Sequence, residues 1–270
     1  MGVVVRNIAQ LVEPPRARRV MMQVLNPSDV PRLLDAAMGS PYYVYYCVLL
    51  HCGLRRGEGL ALRWRNVDII GSELEVRETA FRLHNGEYIV KEPKTPHSRR
   101  RVSLTPSLAL LLSKYREDQE LISEKMGRKL SEDDFVFCHP DGRPLDPDSV
   151  TRRFSEIVRN AGIPRIRLHD LRHTHATLML KAGVHPKIVS ERLGHASIAI
   201  TLDTYSHVLP GLQEAAAEKF DRLLEEEPSK GSEEGDVSKM FAGGLENESE
   251  PHRSRTCNLL IKSQLLCQLS

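Results

Sequence analysis

No run of uncharged apolar residues in this 270-residue chain is long enough to cross a bilayer, and the richest, Val44 to Cys52, falls far short. The first residues lack the charged, apolar and cleavage regions of a signal peptide. Cysteine is scarce. Cys47, Cys52, Cys138, Cys257 and Cys267 form no CxxC pair and no framework spacing, which argues against a disulfide-stapled secreted scaffold. A reducing cytoplasmic setting with no membrane partner is therefore expected. No internal repeat is present, so a solenoid is excluded, and the length suits one sizeable domain.

An excess of one charge is also missing, since 38 basic residues face 36 acidic ones. The balance is uneven along the chain, however. From Glu225 onward nine acidic residues outnumber five basic ones, which leaves 33 basic against 27 acidic before it. A basic body with an acidic tail points weakly to a polyanionic partner.

Three regions follow from the pattern. Residues 1–25, with Pro14, Pro15 and the cluster Arg16, Arg18, Arg19, read as an extended basic linker. Residues 26–225 read as one folded domain. Residues 226–270, rich in Ser, Gly and Glu from Pro228 to Pro251, read as an acidic disordered tail. Within the domain, Ser28 is placed to cap a helix reaching Met38, and Tyr42–Cys52 forms a buried helix. A short helix runs from Arg56 to Arg63. Segments around Leu74 and Val76, Tyr88 to Val90, and Val102 and Leu104 predict a three-stranded antiparallel sheet, with a turn at Asn85-Gly86. Helices follow over Leu108–Met126, Ser149–Ala161, His169–Ala182 and Pro186–Leu193. Further on, Leu212, Ala216, Phe220 and Leu223 share one stripe. The expected fold is mainly α with that small three-stranded antiparallel β-sheet.

Four short segments stand out: Gly53-Leu54-Arg55-Arg56-Gly57-Glu58, His169-Asp170-Leu171-Arg172-His173-Thr174, Leu193-Gly194-His195 and Thr204-Tyr205-Ser206-His207. Taken singly each is weak. An arginine such as Arg55 is more often salt-bridged surface, His169 and His195 are more often polar residues at helix ends, and Tyr205 is more often a half-buried core tyrosine. Taken together and in this order, they resemble the tyrosine recombinase, or phage integrase, family over about Asn26 to Leu224. Lys94, in Pro93-Lys94-Thr95, matches that family's hairpin lysine.

The resemblance implies a site-specific DNA recombinase (an integrase of a mobile element) that cuts and rejoins double-stranded DNA through a 3′-phosphotyrosine. The chemistry needs these residue types. Without a metal, charge gathering on the non-bridging phosphate oxygens must be met by side chains. The fork-shaped guanidiniums of Arg55 and Arg172 suit it, with His195 as a further donor. Tyr205 is the implied nucleophile, because a phenol ester stores the bond energy for rejoining without ATP. Lys94 is the implied acid for the departing 5′-oxygen. His169 either assists proton transfer at Tyr205 or binds the phosphate. Glu58 orients the site from behind, and His173, His175 and His207 are supporting residues.

No cofactor is implied. His169 and His173 lie one helical turn apart, as zinc ligands can, but no third ligand is evident, so no metal is expected. Arg99, Arg100, Arg101, Arg152 and Arg153 are candidate phosphate contacts. A homo-oligomer on DNA, a tetramer closed by head-to-tail contacts, is expected. The segment before Pro14 is far too short for the helical DNA-gripping domain that full-length relatives carry, so it reads as a remnant of one. A topoisomerase-like activity that reseals the same strand and a DNA-binding module without catalysis are the rival readings.

Overall fold

In the computed structural model, residues 23–92 and 98–205 are described, together with 217, 220 and 221. Eight helices are formed by the described residues: α1 (Asp29–Ala37), α2 (Tyr43–Cys52), α3 (Arg56–Leu60), α4 (Pro106–Lys125), α5 (Pro147–Asn160), α6 (Asp170–Lys181), α7 (Pro186–Leu193) and α8 (Ile198–Tyr205). Five short strands lie between α3 and α4: β1 (Val67–Asp68), β2 (Glu73–Val76), β3 (Thr79–Arg82), β4 (Tyr88–Lys91) and β5 (Arg100–Ser103).

The helix α2 is apolar all round and sits in the middle of the core, packed against α4 and α6. Its Tyr46 hydroxyl donates to the Val150 carbonyl of α5 at 2.8 Å, so the buried phenol is satisfied. Caps set the other helix starts. Thr105 Oγ1 accepts from the Leu108 N–H before α4, and Asp146 accepts from the Ser149 N–H before α5, each followed by a proline in the first turn. Ser28 stands at the start of α1 but makes no side-chain cap. The Asp29 N–H bonds the Asn26 carbonyl instead, at 3.0 Å.

The main core draws on every helix from α1 to α6. A second, smaller core joins Ala176, Leu180, Val189, Leu193 and Tyr205, between α6, α7 and α8. Leu25, read from the sequence as linker, is buried in the main core, and its N–H donates to Thr174 Oγ1 of α6 at 3.1 Å. The packed unit therefore begins before Asn26.

Three differences from the sequence-based expectation have local causes. The strands fall into two sheets. An antiparallel β1-β2-β5 sheet pairs Leu74 with Val102 and Val76 with Arg100, while β4 pairs with β3 in a separate hairpin. The turn at Gly86, with φ of +87°, brings β4 back onto its immediate predecessor. Helix α3 ends at Leu60, not Arg63, because the chain extends to pair with 134–136, where the Val136 N–H donates to the Leu62 carbonyl at 2.8 Å. Finally, α8 was not legible. It is short, and Ile198, Ile200 and Leu202 are exposed on it, so no apolar stripe announces it. Lys94, Leu212, Ala216, Leu223 and the acidic tail lie outside the described residues.

Candidate active site

Gly53 ends α2 in the left-handed region, with φ of +64°. A Cβ there would meet His175 Cδ2 at 2.7 Å and Leu193 Cδ2 at 2.8 Å, so both backbone and packing require glycine. The sharp turn delivers Arg55 to the start of α3, with 40% of its side chain exposed. Behind it, the buried Glu58 carboxylate accepts the Arg55 backbone N–H at 2.8 Å and its guanidinium at 2.7 Å. The same carboxylate takes a forked pair from Arg100 of β5, at 3.2 and 2.9 Å. Burial pushes the Glu58 carboxyl up, but the hydrogen bonds and charge of Arg100, with Arg55, outweigh that and hold it at about 2. Glu58 is thus an anchored anion that orients Arg55.

Arg172 lies on α6 and is buried. Its Nη1 donates to the Gly53 carbonyl and its Nη2 to the Leu193 carbonyl, both at 2.7 Å. These carbonyls close α2 and α7, where the negative ends of the helix dipoles favour a cation. Burial first, then the neighbouring Arg55, lowers its pKa to about 9, which still leaves it charged at neutral pH.

His195 follows the left-handed Gly194 at the end of α7. Its Nδ1 pairs with the hydroxyl of Thr201, a fully buried residue of α8, at 2.8 Å. Tyr205, the last residue of α8, is 2% exposed, and its hydroxyl pairs with Nδ1 of His173 at 2.8 Å. Burial raises the Tyr205 phenol to about 12, against the pull of Arg172. Burial and the adjacent cations lower His169, and hold His173 and His195 down at about 4, so all three are neutral at pH 7.

Arg55, His169, Arg172, His173, His195 and Tyr205 line one open cleft of about 460 Å³, with Ser98 at its edge. Five of the six catalytic candidates read from the sequence therefore meet in one place; Lys94 lies outside the described residues. The arrangement offers two guanidiniums and neutral imidazole donors to an anion of phosphate size, next to a phenol.

Among the candidate phosphate contacts, Arg100 requires correction. Its side chain is buried and its groups are taken up by Glu58 and the Arg192 and Ser98 carbonyls. It is an internal positioning arginine, because the two-residue period of β5 turns it to the same face as buried Val102. That period could have identified it. Arg99 and Arg101 are exposed, in pairs with Glu92 and Glu73, and Arg152 and Arg153 are exposed on α5. His173, assigned only a supporting part, turns out to hold the tyrosine hydroxyl. Thr201 was missed, since a lone threonine in an unassigned segment carries no signal.

A mainly helical unit with a small antiparallel sheet and this cleft has the fold of tyrosine recombinase catalytic domains. Among solved structures it resembles the Tn1549 transposon integrase in complex with transposon right end DNA, with a TM-score of 0.62 at 21% identity, over 82% of this chain and 71% of that one. XerA recombinase is similar at TM-score 0.55 and 24% identity, over 76% and 66%. The sequence profile of the phage integrase family matches residues 23–211, and the chain belongs to that family. It is 37% identical to the ICEBs1 integrase of Bacillus subtilis, over 68% of this chain and 49% of that protein. It is 30% identical to a XerC-like tyrosine recombinase of Caldanaerobacter subterraneus, over 75% and 55%. The chain thus spans about half the length of these relatives.

Proposed function

We propose that this chain carries the catalytic domain of a site-specific DNA recombinase, an integrase of a mobile element, acting in the cytoplasm. The observation that carries the reading is the convergence of Arg55, Arg172, His169 and His195 on one cleft that also holds the Tyr205 hydroxyl. Arg55 and Arg172 clamp the non-bridging oxygens of the scissile phosphate, and His195 donates a further hydrogen bond. Tyr205 attacks phosphorus to form a 3′-phosphotyrosine, and Lys94 protonates the 5′-oxygen as it leaves. The partner is double-stranded DNA, with no metal, cofactor or ATP required. Relatives named as integrases, and a fold neighbour solved on transposon end DNA, support this reading.

The recombinase domain covers 26–225 together with the buried Leu25 that precedes it, and the acidic tail is dispensable for cleavage. Four subunits assemble head to tail on DNA, through the helical stripe that includes Phe220, a residue 61% exposed. Phe220→Ala is expected to weaken assembly more than binding to a single site; equal loss of both removes that role.

The test of the function is an adduct assay. A nicked duplex carrying the ends of the element that encodes the gene should become covalently joined to the wild-type chain. Tyr205→Phe should bind the duplex and form no adduct. An adduct that persists in Tyr205→Phe rejects the nucleophile, and relaxation without exchange between two duplexes favours the topoisomerase-like reading.

A further inference from the structure

The family pattern leaves His169 with two possible tasks, proton transfer at Tyr205 or phosphate binding. The geometry separates them. His169 stands at the N-terminal end of α6 and His173 one turn further along, their rings edge to face at 4.9 Å. Among the described residues, the Tyr205 hydroxyl has its hydrogen bond with His173, not with His169. The phenol ring packs in the small core with Ala176, Leu180, Val189 and Leu193. His169 and His173 both line the cleft with Arg55 and Arg172, and of the two only His173 is bonded to the phenol.

We propose that His173, not His169, is the residue that takes the proton from Tyr205 during strand cleavage, and that His169 is left to bind the phosphate. The inference rests on the recombinase reading above. The Tyr205 Oη–H bond breaks and its proton passes to Nδ1 of His173, which is the Nε2–H tautomer before the step. The freed oxygen pair forms the bond to phosphorus. The bond from phosphorus to the 5′-oxygen breaks, and that oxygen takes a proton from Lys94. In the rejoining step His173 returns its proton to the phenol. A base within hydrogen-bond reach of the reacting atom is the first geometric requirement of general base catalysis, and 2.8 Å meets it.

The surroundings of His173 keep its ring neutral at neutral pH, at the cost of making it a weaker base than a free imidazole. Burial first, then His169, Arg172 and Arg167, disfavour a positive charge on its ring, while Asp170 favours one. The ring is therefore neutral at pH 7 and has a free lone pair to accept a proton. An incoming phosphate places negative charge among these cations and strengthens the base at the moment it is needed.

The test uses the full chain and the nicked duplex that carries the element's ends. His173→Ala should bind this duplex as wild type does and form adduct about a hundredfold more slowly at neutral pH. Its rate should climb as pH rises, or when imidazole is added, because hydroxide or free imidazole then takes the phenol proton. His173→Asn, which preserves size and polarity, should show the same defect and guards against a folding failure. His169→Ala should be rescued by neither treatment. Wild-type rates in both His173 variants, or imidazole rescue of His169→Ala alone, would overturn the assignment. A second measurement needs no DNA, namely the ring-nitrogen NMR spectrum of the free protein. Tyr205→Phe should shift His173 Nδ1 and leave His169 in place; an unmoved His173 overturns the inference. If wild type forms no adduct at all, the recombinase reading fails, and this spectrum alone decides the His173–Tyr205 contact.

Discussion

Glu58 and Arg100, forty-two positions apart, form a forked ion pair with contacts of 3.2 and 2.9 Å in the interior of the protein. Glu58 lies in the arginine box at the start of α3 and Arg100 on β5, so the pair ties the cleft to the sheet strand that follows Lys94. A buried pair is costly to break, because the remaining charge is left without a partner. Arg100→Ala is expected to destabilise the fold by about 3–5 kcal/mol. Chemical denaturation that shows no change would refute the interior role.

Glu58 also sets a pH dependence. Its carboxyl is held at about 2, below the value of about 4.3 for a free glutamate. A group depressed by folding adds stability that is present above the unfolded value and is lost as pH falls through the folded one. The window therefore runs from about pH 4.3 down to about pH 2. Across it wild type should lose on the order of 3 kcal/mol more than Glu58→Gln. Parallel acid titrations of the two proteins would count against the ion pair.

Arg55 and Arg172 should separate by stability, not by rate. Either change to alanine is expected to slow adduct formation by roughly a hundredfold or more, because each removes a preorganised charge from the phosphoryl transition state. Arg172→Ala should also lower the melting temperature, since it leaves the Gly53 and Leu193 carbonyls unpaired. Half-exposed Arg55 should leave it nearly unchanged. Equal melting losses would mean that Arg55 is the structural residue.

Lys94→Ala should cleave poorly on ordinary DNA and recover on a 5′-phosphorothiolate, whose sulfur departs without a proton. Equal defects on the two substrates would remove Lys94 as the acid.

Thr201→Val keeps the shape of a fully buried side chain and deletes the hydroxyl that pairs with His195. The expected cost is about 1 kcal/mol of stability and about a tenfold slower adduct formation, with DNA affinity unchanged. A rate equal to wild type would show that His195 needs no such positioning.

Most of the helices were legible from the chain because their signals are local. Apolar runs, prolines in first turns and glycines after last turns place α2, α4, α5 and α7 to within about two residues of their observed ends. The sheet was only partly legible. Strand pairing depends on which segment the turn at Gly86 returns to, and the nearer segment won. Arg100 was misread as surface because a run of three arginines looks solvated until the buried face of β5 is known.

The sequence by itself determined the family and the residue types of the site, because boxes such as Gly53–Glu58 and His169–Arg172 are contiguous and their order is chemically restrictive. Only the tertiary structure decided which of those residues touch one another. Whether His169 or His173 meets Tyr205 depends on how α8 packs against α6 and α7, and the burial of Arg100 depends on Glu58 arriving from another element. Such relationships are set by contacts between distant segments, which leave no period or motif along the chain.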